Sequence, residues 1–72
     1  MENPGIRLKN LREARGLSIE ELVDAIDTHP RSKEIYSLLL EWWESGHGHL
    51  WDKITNDLAK YFGVTTDYLL GL

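Results

Sequence analysis

The sequence predicts an all-α domain, and three observations carry that prediction. Apolar residues recur at helical spacing in one stretch after another, and nothing alternates with the period of two that a half-buried strand needs. Glycine or proline stands where each helical stretch must stop. The 72 residues read as one domain, residues 1–72, because a chain this short buries only about 60% of the surface its unfolded form exposes and has no material for a second core. A 42% hydrophobic share with three Trp, three Tyr and one Phe is too apolar for a disordered chain.

The first helix is expected over residues 6–15, where Ile6, Leu8, Leu11 and Ala14 give a roughly helical spacing and Gly16 supplies a left-handed stop. Ser18-Ile19-Glu20-Glu21 then forms a capping box. The Ser18 hydroxyl accepts from the amide of Glu21, the Glu21 carboxylate reaches back, and Leu17 with Leu22 occupies the positions of a hydrophobic staple. The second helix follows at 18–27 and ends at Thr28-His29-Pro30, since the residue before a proline is pushed out of the helical region. Pro30 can itself begin the next helix, which is expected to run from Arg31 to Trp43 and to close at Gly46-His47-Gly48. A fourth helix, 50–62, carries Trp51, Ile54, Leu58 and Phe62 and stops at Gly63. Thr65 and Asp67 suit the cap and first turn of a last short helix ending at Tyr68-Leu69-Leu70-Gly71.

With no cysteine there is neither a disulfide staple nor a thiolate for zinc, so the fold rests on packing or on a partner, which fits a reducing cytosol. The first residues, Met1 to Arg7, have no apolar targeting core, and Leu38-Leu39-Leu40 is far short of a membrane span. A soluble cytoplasmic protein is expected. Charge gives the first functional clue: eight Lys and Arg against twelve Asp and Glu leave a formal net of −4, a sign that repels phosphate backbones. The distribution is lopsided. Residues 1–16 hold Arg7, Lys9, Arg12 and Arg15 against Glu2 and Glu13, while residues 17–72 hold four basic against ten acidic side chains.

Four stretches together resemble a known family. They are Ile6 to Ser18, then Glu20-Glu21-Leu22, then Trp43-Glu44-Ser45-Gly46, and Asp57-Leu58-Ala59-Lys60-Tyr61-Phe62-Gly63-Val64-Thr65-Thr66-Asp67-Tyr68-Leu69-Leu70-Gly71. The pattern is similar to the helix-turn-helix domains of the Cro and lambda-repressor type, the XRE family. That resemblance implies a five-helix lambda-repressor-like bundle whose second and third helices form the DNA-reading pair. The chain departs from the family at that place, because about seven extra residues separate Ile26 from Trp43. Asp27-Thr28-His29-Pro30-Arg31-Ser32-Lys33 therefore lengthens the connection or adds turns to helix three.

Counting back from Glu44 puts Ser37, Leu38, Leu39, Glu41 and Trp42 where the family presents polar and basic side chains to base edges. Leucine and tryptophan cannot meet the donors and acceptors of the major groove, and a glutamate there has little use beyond accepting from cytosine. Residues 17–46 hold two basic side chains against seven acidic ones, a net of −5, so the phosphate contacts that supply most non-specific affinity are missing too. Ile35, Leu38, Leu39, Leu40, Trp42 and Trp43 cannot all face a core through a stripe about 100° wide. Leu40 and Trp43 match the inward positions that the resemblance implies, with Leu39 and Tyr36 able to share them, so Leu38 and Trp42 are expected to point elsewhere unless the insertion rearranges the core.

The resemblance implies two functions. In the first, a small phage- or mobile-element-type regulator uses Ile35, Leu38, Leu39, Glu41 and Trp42 to bind a protein partner, covering the basic DNA-binding face of a cognate repressor as antirepressors do. Glu34, Glu41 and Glu44 would steer the encounter, although the resemblance also implies a structural role for Glu44, which makes Glu34 and Glu41 the better probes. In the second, a conventional DNA-binding repressor reads its operator with Arg31, Ser32, Lys33 and Ser37. Homodimerisation through Leu38 and Trp42 can accompany either.

Arg7, Lys9, Arg12 and Arg15 are expected to form a solvated face with Glu13, and in the family a few such residues touch phosphates. Other signals are weak. His47 and His49 lack a third convergent ligand and read as a solvated loop rather than a metal site, and His29 reads as a turn residue. Glu41 and Glu44 lie one turn apart without a cleft to enclose a substrate, and no serine has a histidine partner, so neither an enzyme nor a cofactor is expected.

Overall fold

A computed structural model describes residues 3–26 and 30–72 as five α-helices in sequence: α1 (Gly5–Ala14), α2 (Ile19–Ile26), α3 (Lys33–Glu44), α4 (Asp52–Phe62) and α5 (Thr66–Leu70), with a 3₁₀ turn at Pro30–Ser32 leading into α3. No strand occurs among the described residues. The expected five-helix, all-α class is therefore what the chain adopts, with α2 packed on α3 and α4, and α1 on α3 and α5.

The local signals act as their chemistry requires. Ser18 and Glu21 exchange both capping bonds, the Glu21 amide to Ser18 Oγ and the Ser18 amide to Glu21 Oε1, each at 3.0 Å. Thr65 caps α5 by accepting from the Tyr68 amide at 3.0 Å. The α3 terminus closes with a Schellman pair: the His47 amide donates to the Trp42 carbonyl at 2.8 Å and the Gly46 amide to the Trp43 carbonyl at 3.0 Å. Gly46 sits at φ +91°, a region that costs an ordinary side chain steric energy, so the helix ends there and His47 becomes part of the stop.

Helix three differs from its expected bounds. Arg31 and Ser32 belong to the 3₁₀ turn and not to the helix, which begins at Lys33 and reaches Glu44. Proline fixes φ and has no N–H, which suits the opening of a short turn of i→i+3 bonds. The inserted residues thus add a 3₁₀ turn ahead of a three-turn helix, while Asp27, Thr28 and His29 lie outside the described residues. Helix four begins later than expected, at Asp52, leaving Leu50 buried and Trp51 as the residue before the first turn.

Leu8, Leu22, Val23, Tyr36, Leu40, Leu50, Ile54, Leu58, Ala59, Phe62 and Leu69 make the core, drawn from all five helices and the α3–α4 connection. Thr55, buried among them, donates its hydroxyl to the Trp51 carbonyl at 2.8 Å, which satisfies the hydroxyl and pins the backbone of Trp51.

Of the basic side chains expected to form a solvated face, Lys9 and Arg15 are exposed, but the three arginines are engaged by the fold and Arg12 leaves that face altogether. Arg12 turns inward and makes a two-pronged ion pair with Glu44, Nε to Oε2 at 2.9 Å and Nη2 to Oε1 at 2.8 Å, while Nη1 donates to the Leu17 carbonyl at 2.8 Å. Both side chains are largely buried. Arg7 lies over the Tyr68 ring at 4.8 Å and donates to the Tyr68 carbonyl. Arg15 lies over Tyr61 and Phe62, each at 4.9 Å, and donates to the Tyr61 carbonyl. The physical reason is that an arginine fork satisfies a carboxylate and a carbonyl at once, and its flat face stacks on rings that the helix ends bring close.

Candidate functional site

The outer side of α3 is built by helix geometry. At 100° per residue, Tyr36 and Leu40 fall on one side and are buried, while Leu39 and Trp43 flank them and pack against the core. Ile35, Leu38 and Trp42 fall on the opposite side with 54%, 54% and 59% of their surface exposed. Trp43 turns in and Trp42 turns out, so the two adjacent indoles do different things. The Trp43 Nε1–H is buried with no hydrogen-bond partner among the described residues.

A second element completes this surface. Trp51, held by Thr55 and set edge-on to Tyr36 with ring centroids 6.1 Å apart, is 52% exposed and forms the far wall of an apolar groove of about 210 Å³ lined by Ile35, Leu38, Leu39, Trp42 and Trp51. The sequence places Trp51 within helix four, whereas it stands just ahead of that helix. Leu50 is buried and Trp51, the residue after it, lies on the outside.

Leu38 also lines a larger groove, about 520 Å³, between α2 and α3, whose other walls are Glu20, Lys33, Glu34, Ser37 and Glu41. Leu38 is thus the ridge between an apolar and an acidic channel. The carboxylates of Glu20, Glu34 and Glu41 are exposed. Lys33, a basic group on this side, pairs with Asp24 at 3.0 Å. Glu21 is also exposed; hydrogen bonds from the Ser18 amide and hydroxyl hold its carboxyl below the usual carboxylate range.

Glu44, expected to help steer a partner, is not available for that task. It is committed to Arg12, whose guanidinium is held above its ordinary pKa chiefly by the hydrogen bond to Glu44. The same pairing removes Glu44 from any carboxylate couple with Glu41. Of the alternative DNA-reading set, Arg31 is exposed in the 3₁₀ turn, Ser32 makes no capping bond to α3, Lys33 is engaged by Asp24 and Ser37 is half-buried in the acidic channel. His47 and His49 are exposed, and no cluster of metal-ligating side chains exists among the described residues.

A family model described as a helix-turn-helix domain matches residues 5–72. The chain belongs to the helix-turn-helix family. No curated protein and no solved structure matches it. In this helix-turn-helix domain, α2 packs on α3 and the apolar groove lies on the outward side of α3. The family is a regulatory DNA-binding module of the XRE type. No described helix of the domain is long and apolar enough to cross a membrane.

Proposed function

We propose that this helix-turn-helix domain acts in transcription regulation by docking a protein on the outer face of α3, the partner being the basic DNA-binding face of a cognate repressor. The observation that supports this most is the exposure of Leu38 and Trp42, which stand where the family resemblance implies base-reading side chains. In a major groove such side chains have only thymine methyl groups to meet, whereas at a protein interface an exposed tryptophan beside leucines is the usual anchor. The acids Glu20, Glu34 and Glu41 repel phosphates and complement a basic surface.

The test mixes the full chain with a repressor encoded beside its gene and follows operator occupancy by fluorescence anisotropy. Loss of occupancy at stoichiometric addition supports docking. Unchanged occupancy at large excess, with no complex on a sizing column, removes it.

The family match favours a second reading, a conventional DNA-binding repressor. Arg31, exposed just ahead of α3, is its best candidate contact, with Ser32, Lys33 and Ser37 beside it. For that reading, Arg31→Ala must weaken binding to a selected duplex.

A further inference from the structure

The outer face of α3 carries two parallel strips. Glu34 and Glu41, seven residues apart, lie within about 20° of one another around the helix axis, and Leu38, Trp42 and Ile35 follow on the next 100° or so. Each strip is about 10 Å long, because seven residues of helix rise by about that distance. Glu20 faces the acidic strip from α2, and Trp51 closes the apolar strip from the other side.

We infer that the occupant of this surface is an amphipathic helix of the partner protein, bearing an apolar stripe flanked on one side by Arg or Lys, and lying along α3 for about two turns. This rests on the docking reading above and specifies what that face recognises. The spacing of Ile35, Leu38, Leu39 and Trp42 at i, i+3, i+4 and i+7 is that of a helix-packing seam. With no strand among the described residues, there is no sheet edge to capture an extended peptide. The basic flank follows from charge: the channel sets Glu20, Glu34 and Glu41 against Lys33 alone, which Asp24 engages, while Lys9 and Arg12 line the neighbouring groove on the α1 side of Glu41.

A second copy of this chain fits poorly. A two-fold axis that makes the α3 helices antiparallel sets acidic strip on acidic strip. One that makes them parallel leaves both strips facing outward without a counter-charge.

The experiment uses the full chain and three synthetic helices of equal length as probes: one with leucines at i, i+3, i+4 and i+7 and lysines on one flank, one with those lysines replaced by glutamates, and one with the basic sequence scrambled. Trp42 and Trp51 line the groove, so a blue shift of tryptophan fluorescence reads binding. The basic amphipathic helix is expected to bind at least about tenfold more tightly than the acidic one, and added salt should narrow the gap. The pair Glu34→Lys and Glu41→Lys should invert the preference, and Leu38→Ser should abolish both, with circular dichroism unchanged.

Equal affinity for the basic and acidic helices overturns the charge rule and leaves docking in place. Equal binding of the scrambled probe overturns the helical occupant. If no probe binds and a selected duplex does, both the inference and the docking reading fall. Sedimentation that finds a dimer dispersed by Leu38→Ser assigns the face to a second copy and also overturns the inference.

Discussion

Trp42 and Trp43 are chemically identical and adjacent, and a turn of 100° gives them opposite consequences. Trp43 packs on the core, so Trp43→Ala should cost about 3 kcal/mol in urea unfolding. Trp42→Ala, more than half exposed, should stay within about 0.5 kcal/mol of the parent. Comparable losses from the two would mean that the groove is core and not a docking surface. Arg12 makes a different kind of prediction. Removing one partner of a buried pair leaves a charge without compensation, so Arg12→Ala should destabilise by about 3–5 kcal/mol. Arg12→Lys keeps the charge but cannot hold both Glu44 oxygens and the Leu17 carbonyl at once, and should recover only part of that loss. The inward turn of Arg12 was not legible in the sequence, since it depends on a carboxylate 32 positions away that only the packing of α1 on α3 brings within reach.

At the scale of elements, what could be read was what neighbouring residues decide among themselves. The Ser18–Glu21 box, the stop at Gly46 and the Thr65 cap are contacts across three to five positions, and each appears as its residues imply. The outward turn of Leu38 and Trp42 followed from helical periodicity together with the inward positions that the family resemblance implies, whereas Trp51 as the far wall needed the α3–α4 connection, and the 3₁₀ turn at Pro30–Ser32 leaves no periodic mark in three residues. Gly5 is a second tertiary fact hidden from sequence. A Cβ built there would fall 1.7 Å from the Trp43 carbonyl oxygen and 2.9 Å from the Glu44 Cα, so Gly5→Ala must push the start of α1 off the end of α3. Although alanine favours helix, the midpoint of thermal unfolding should fall, and Lys9→Ala on the exposed side of the same helix should leave it nearly unchanged. The capping box is also a source of pH dependence. Because folding lowers the pKa of Glu21, its contribution is present above the unfolded value and disappears as pH falls through the folded one. Thermal midpoints taken from about pH 6 to about pH 3 should therefore decline less steeply in Glu21→Gln, which keeps a capping-competent side chain that does not titrate.

Across the whole molecule the decisive quantity is where positive charge is left. The chain carries a net of −4, its 17–46 segment −5, and the first arginines are engaged: Arg12 is largely buried on Glu44, Arg7 lies over Tyr68, and the exposed Arg15 lies over Tyr61 and Phe62. Arg7 and Arg15 keep their charge, but they lie along α1 and its contacts with α5 and the end of α4, whereas phosphates beside an inserted α3 would meet Glu20, Glu34 and Glu41. Affinity for duplex DNA should accordingly be no tighter than the non-specific range of about 10⁻⁴ to 10⁻⁶ M at physiological salt, with a shallow dependence on salt because few counterions are released. Lowering the salt separates the alternatives. Cation-driven contact strengthens steeply as screening falls, whereas an acidic face is repelled more strongly, so binding that stays weak at low salt points away from the groove. A duplex selected from a random pool and bound in the nanomolar range, with affinity collapsing as salt rises and with loss on Arg31→Ala, would establish α3 as a base-reading helix despite its leucine and tryptophan. If selection instead returns no preferred sequence, the apolar strip of Leu38 and Trp42 still needs a partner that removes it from water, and a protein helix does so over a length that a groove edged by phosphates does not.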